Sequence, residues 1–231
     1  MSRSVLPRVL LLAALLGAAP LAAQSTAELL GQCAAGEHAA CLPAAERVAR
    51  GDQVSQDQNR AEQLLRGACA SGYPAACTRL GLWFSRGVLR SQDLDEAARL
   101  YRKGCDDGDG EGCLRLGDAY AAGSGVFPSV EAALPQWRRA CQLHAARGCF
   151  LLGDRYERGD GVWTDYAQAA ALYATGCEGN DATSCFRLAR LYERGEGVPQ
   201  DREKAFALYN KACTLGNRTV CREVAPGAPR N

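Results

Sequence analysis

Twelve cysteines fall into two series, and each series advances by 36 residues without an insertion or deletion. The first is Cys33, Cys69, Cys105, Cys141, Cys177 and Cys213; the second is Cys41, Cys77, Cys113, Cys149, Cys185 and Cys221. A fixed period of this size marks stacked copies of one supersecondary unit, because such a unit cannot bury its apolar face alone. The stretch Cys105 to Val126 carries the whole signature: two cysteines eight positions apart, the run Leu116-Gly117-x-x-Tyr120, then Gly123-x-Gly125-Val126.

Each unit reads as two helices. Cys77, Leu80 and Phe84 fall at i, i+3 and i+7 and so share one helical face. The same set recurs as Cys113, Leu116, Tyr120, then Cys149, Leu152, Tyr156, then Cys185, Leu188, Tyr192. Gly81, Gly117 and Gly153, with Ala189 in the next copy, keep a small residue beside that face. A glycine inside a helix costs about 1 kcal/mol against alanine, so its recurrence predicts close approach by another helix. Gly51, Gly87, Gly123, Gly159 and Gly195 end these first helices as left-handed caps. After a tight loop, Asp57, Asp93, Ser129, Asp165 and Asp201 open the second helices as N-caps. The inward stripe of the second helix is Ala97, Leu100, Tyr101, Cys105, repeated as Ala169, Leu172, Tyr173, Cys177 and Ala205, Leu208, Tyr209, Cys213. Pro135 interrupts the third stripe, which predicts a helix that is kinked or starts late. Upstream, Ser25-x-x-Glu28 is a capping box for a short helix that stands as half a unit.

The paired cysteines therefore lie on the buried stripes of consecutive helices, at opposite ends of one turn. This predicts bridges Cys33–Cys41, Cys69–Cys77, Cys105–Cys113, Cys141–Cys149, Cys177–Cys185 and Cys213–Cys221. Closing a loop of about nine residues stabilises by about 2.5 kcal/mol in the chain-entropy description. Zinc is the competing reading of regular cysteines. Structural zinc sites favour ligands two to four apart, and His38 and His144 are the only histidines. We expect neither metal nor cofactor.

Residues 1–23 read as a signal peptide: Arg3 and Arg8 form the charged region, Val9 to Leu16 the short apolar core, and Pro20-Leu21-Ala22-Ala23 the end, with cleavage before Gln24. An uncleaved anchor is the alternative. Loss of the two arginines would take the formal charge from +1 to −1, which argues for neither a nucleic acid nor an anionic membrane as partner. Cysteines used in pairs suit an oxidising compartment, periplasmic or secreted. Residues 24–224 form the repeat array and 225–231, with Pro226 and Pro229, a frayed tail.

The pattern Leu-Gly-x-x-Tyr, Gly-x-Gly-Val, Asp, Ala, Leu-Tyr and Ala/Gly-Cys resembles the Sel-1-like repeat family, relatives of the tetratricopeptide repeats. The cysteine pairs resemble its secreted, cysteine-rich Hcp-like branch. The resemblance implies an all-α, right-handed αα-superhelix of 36-residue helix-turn-helix repeats, each stapled by a disulfide, about five helix pairs with partial caps. It also implies an exported scaffold that binds a protein or peptide on its concave face. Members of the branch carry a beta-lactamase or penicillin-binding label, so beta-lactam binding or hydrolysis is the alternative function; a host-facing secreted effector is the third.

Serine beta-lactamase chemistry needs a serine and a base in arrangements such as S-x-x-K, S-D-N and K-T-G, and none occurs. Ser129, the one serine at a recurrent column, reads as an N-cap, so no catalytic residue is assigned. His38 and His144 read as polar turn residues. The binding candidates are Arg79, Arg115 and Arg187, one column of the first helices broken by Leu151, with Arg155 and Arg190 extending the polar surface. Such a ladder on the concave side could grip carboxylates or backbone carbonyls; the alternative is a solvated face with ion pairs worth little. Trp83 is either an exposed contact anchor or a packing residue. Trp163 is expected to pack under its loop.

Overall fold

The helix signals above recur at one spacing, and so do the helices. A computed structural model describes residues 20–89, 91–218 and 220–221. The expected leader up to residue 19, the end of the array and the tail from residue 222 lie outside the described residues. Within them, a short 3-10 segment Leu21–Ala23 precedes eleven α-helices and no strand. These are α1 Thr26–Ala34, α2 His38–Arg50, α3 Gln58–Ala70, α4 Pro74–Arg86, α5 Leu94–Asp106, α6 Gly110–Ala122, α7 Val130–Gln142, α8 Ala146–Arg158, α9 Tyr166–Glu178, α10 Ala182–Arg194 and α11 Arg202–Thr214. The architecture is the right-handed αα-superhelix. Helix α1 is the half unit, opened by the Ser25/Glu28 capping box; α2 with α3, α4 with α5, and so on to α11, are the five pairs.

The start and stop residues act as the physics requires. Asp57, Asp93, Ser129, Asp165 and Asp201 each accept from the N–H three residues on, at 2.9–3.1 Å. Each such cap is worth about 1 kcal/mol. The five glycine caps take φ between +65° and +82°. Helix α7 does not start late: it begins in register at Val130, with Pro135 accommodated inside it. Pro43 is likewise inside α2.

All six predicted bridges are present, with Cα atoms 4.4–4.8 Å apart. The first cysteine is the penultimate residue of one helix, and in the first five pairs the second is the fourth residue of the next. Between them the chain turns through a left-handed residue at Gly36, Gly72, Gly108, His144, Asn180 and Gly216. Each of these donates its N–H to the carbonyl of the first cysteine, at 2.9–3.3 Å. From Cys69 on, the helices cross closely here because the residue before each first cysteine is alanine or glycine: Ala68, Gly104, Ala140, Gly176 and Ala212. A Cβ on Gly104 would lie 2.4 Å from Thr78 Oγ1, and one on Gly176 2.3 Å from Ser184 Oγ.

Across the glycine loop the two helices of a pair interlock. Tyr101, Trp137 and Tyr173 fill the space that Gly81, Gly117 and Gly153 leave open; Trp137 and Tyr173 are fully buried. The loop also reaches back one unit. A Cβ on Gly125 would fall 2.0 Å from the Leu94 carbonyl oxygen, so the loop before α7 lies directly on the first turn of α5. Successive first helices (α2, α4, α6) approach one another more closely than successive second helices do. First helices touching across units is the arrangement expected if they line the concave side, the inner wall of the array.

Two glycine substitutions should act in opposite directions. Gly117→Ala places a methyl 2.5 Å from Trp137 Cδ1 and should cost about 1–3 kcal/mol. Gly67→Ala, in α3, meets nothing within 4 Å and should gain about 0.5–1 kcal/mol. Thermal melts of the two oxidised variants check both signs.

Candidate functional site

The arginine column sits where the first helices meet. Arg79 on α4 donates to Glu46 Oε1 on α2 at 2.6 Å. Arg187 on α10 reaches Asp154 Oδ1 at 3.5 Å and Glu157 Oε1 at 3.4 Å, both on α8. Arg115 pairs within α6, with Glu111 at 2.6 Å. The guanidiniums thus lie on the inner wall and are held by carboxylates, in two cases from the preceding first helix. Arg79 and Arg115 keep 43% and 37% of their side-chain surface, so they still face solvent. Asp154 is buried and also takes Arg158 at 3.1 Å.

Arg155 and Arg190 are used against rings. Arg155 pairs with Asp160 and stands 5.3 Å from the centre of the Trp137 ring. Arg190 lies 5.8 Å from the centre of Phe186. Trp83 is a packing residue, 7% exposed in the core formed with Leu65, Leu80 and Leu100; that burial removes it from any contact surface. Trp163 departs from expectation in the other direction. It is 94% exposed, as is Phe127, at 93%, one repeat earlier. His38 is the first residue of α2, and His144 is the left-handed turn residue. With all twelve thiols in bridges, no described cysteine is free to act as a thiolate.

Polar contacts under the inner wall tie the second helices α5, α7, α9 and α11 to their partners. Tyr101 donates to Ser85 Oγ at 2.9 Å, Tyr173 to Glu157 Oε2 at 2.6 Å, and Tyr209 to Glu193 Oε2 at 2.7 Å. Burial and the Glu157 carboxylate push the Tyr173 phenol well above its ordinary range. In the third unit position 121 is alanine, and the Trp137 indole donates to Asp118 Oδ1 instead, at 3.1 Å. Burial pushes the Asp118 carboxyl up, against the pull of the Trp137 N–H and of Arg115 and Arg147. Asp118 escapes sequence analysis because only one other copy, Asp154, keeps an aspartate at its column, where Leu82 and Arg190 stand in two others. The exposed loop column of Phe127 and Trp163 was visible as a 36-residue spacing, but apolar residues after Gly-x-Gly-Val read as packing.

These features define a disulfide-stapled αα-solenoid with a mixed-charge inner wall. The Sel1 repeat model matches residues 43–73, 74–109, 110–143, 146–181 and 182–217, and the chain belongs to the Sel1 repeat family. Repeats of this kind generally mediate protein interactions. The chain is similar to a protective antigen of uropathogenic Escherichia coli that displays an SLR fold, with 29% identity and a TM-score of 0.77 over 87% of this chain. It spans 43% of that protein's length. A Sel1 repeat protein from Oxalobacter formigenes shares 25% identity, with a TM-score of 0.73 over 86% of this chain and 88% of that one. Helicobacter pylori cysteine rich protein B shares 32% identity over 56% of this chain and 93% of that one, with a TM-score of 0.47. No curated protein matches in sequence.

The Asp118 site yields a pH test. A carboxyl raised by burial contributes stability that is full below its unfolded pKa and is lost as pH rises through the folded value. Asp118→Asn keeps an oxygen for the Trp137 N–H and removes the buried charge. The variant should melt higher than the parent at pH 7, and the difference should shrink as pH falls through the raised folded value toward the unfolded one, about 3.9. A constant difference across that range would show that charge is not the cause.

Proposed function

We propose that this chain is an exported, non-catalytic scaffold that binds a protein or peptide segment along the inner wall formed by α2, α4, α6, α8 and α10. The observation that carries the reading is the arginine column: half-exposed guanidiniums held in place by carboxylates of the same wall. Donors fixed in this way lose little freedom when a ligand carbonyl or carboxylate arrives. Leu151, at the same column, adds an apolar step between Arg115 and Arg187. Export is supported by six bridges, which persist in oxidising compartments. The likeness to an antigen of uropathogenic strains points the same way. No described helix is long and apolar enough to cross a membrane. From Gln24 on, the chain is tied to the array: Arg47 donates to the Gln24 carbonyl, and Thr26 Oγ1 to the Asp52 carbonyl at 2.8 Å.

The reading is tested by photo-crosslinking from a probe placed at Leu151 in the producing cell, with and without Arg115→Ala and Arg187→Ala. A partner crosslinked to the parent should be lost or several-fold reduced in the variants; no change in either would overturn the inner-wall assignment. Intact mass of the exported protein should show a start at Gln24 and a deficit of about 12 Da, two hydrogens for each of the six bridges. Incubation with benzylpenicillin should leave that mass unchanged, and a covalent adduct would overturn the non-catalytic reading.

A further inference from the structure

The loop edge, away from the inner wall, repeats one arrangement with one telling difference. The first helices α4, α6, α8 and α10 carry an aromatic residue in their last turns, Phe84, Tyr120, Tyr156 and Tyr192, where α2 has Val48. In the last unit, the ammonium of Lys204 sits 4.3 Å from the centre of the Tyr192 ring. Asp201, the N-cap of α11, stands three residues before it and interacts with its charge. The molecule thus places its own cation against a tyrosine face and a carboxylate. One repeat earlier the tyrosine and the carboxylate are conserved within the chain as Tyr156 and Asp165, but position 168 holds Gln168 in place of a lysine. Gln168 lines a smaller cleft that shares Tyr156, and the loop-side cleft has no lysine in its lining. This loop-side cleft, of about 730 Å³, is lined by Tyr156, Gly159, Gly161, Val162, Trp163, Thr164 and Asp165.

Trp163 and Tyr156 give this cleft two aromatic walls and Asp165 gives it a negative charge, while Trp163 is 94% exposed. Aromatic faces attract a cation within about 6 Å of the ring centre, tryptophan most strongly. Glu131 and Asp160 add negative potential nearby, close enough to act on each other. Arg155 offsets Asp160, and Arg138 donates to the Tyr156 hydroxyl at 3.1 Å. The second cleft, of about 360 Å³ and lined by α7, α8 and α9, shares Tyr156 and has Arg138 and Gln168 in its wall.

We infer that the cleft at Tyr156, Trp163 and Asp165 receives the ammonium of a lysine side chain from a partner polypeptide, in the place that Lys204 fills from within the chain one repeat later. The cleft lies on the loop edge and works independently of the inner wall. The unit before offers a weaker copy: Phe127 is equally exposed, but Ser129 stands where Asp165 would, so it lacks the charge.

The test uses the oxidised full-length protein and an unstructured peptide of alternating lysine and glycine, with the same peptide acetylated at every lysine as control. Trp83 and Trp137 are buried, so the Trp163 indole N–H signal in a nitrogen-proton spectrum reports the cleft. The lysine peptide should shift that signal saturably, and the acetylated peptide should not. Trp163→Ala is read through the Gly161 and Asp165 amides and should weaken binding roughly fivefold, the scale of one exposed cation–aromatic contact. Gln168→Lys should fill the cleft from within and abolish the response. Lys204→Gln should free Tyr192 and add a second, separately titrating site there. Equal binding of the acetylated peptide, no saturable shift in the parent, or an undiminished response in Gln168→Lys would each overturn the assignment.

Discussion

The junction between one helix pair and the next depends on the bridge between the end of a second helix and the start of the following first helix. Of the two contacts each helix makes with its chain neighbours, the one across the cysteine turn is the less extensive in every unit. The helices of a pair interlock an aromatic side chain into a glycine notch. Helices across the turn meet through alanine, glycine, threonine and serine, which bring backbones close but bury little apolar area. With about 25 cal/mol gained per Å² of apolar surface buried, that junction is the weaker one. Each bridge sits on it. The left-handed residue and its bond to the cysteine carbonyl then set the turn that the bridge closes.

This arrangement explains how a chain with a modest core at each unit can hold a superhelix. Stability in such an array is close to a sum over units and their interfaces. A loose interface would let the array bend or fray at that point. Six bridges, one per interface, make the stack continuous and so keep the inner-wall arginines in register with carboxylates on neighbouring helices. Arg79 with Glu46 and Arg187 with Asp154 and Glu157 are pairs between units, and they depend on that register.

Most of the fold was legible because the period is strict. Cap residues, glycine stops, aromatic–glycine notches and cysteine pairing each recur at one column, so every copy corroborates the others. What was not legible departs from the period or concerns the surface. Asp109 and Asp181 cap α6 and α10 in only two units. Proline at position 135 reads as a helix breaker, yet tertiary packing on both faces of α7 outweighs one lost backbone bond. Trp163 reversed its expected place, and Trp83 took the packing one of its two readings, because apolar character does not reveal which side of a loop or helix is covered. The inner wall was legible as a column of arginines, but not their partners, since those lie on the neighbouring helix about 30 residues away in sequence. The lysine-sized opening beside Tyr156 emerges only when equivalent positions are compared in space.

The claim that the bridges hold the weak junctions is tested most directly by equilibrium unfolding in guanidinium, followed by far-ultraviolet circular dichroism, with the chain oxidised and with it fully reduced. A bridge closing a loop of about nine residues is worth about 2.5 kcal/mol, and a domain's net stability is about 5–15 kcal/mol. The reduced chain should therefore unfold at far lower denaturant, through a broad transition as units separate one from another. A reduced chain that unfolds as one sharp transition near the oxidised midpoint would show that the small-residue packing holds the junctions without the bridges, and would contradict the account.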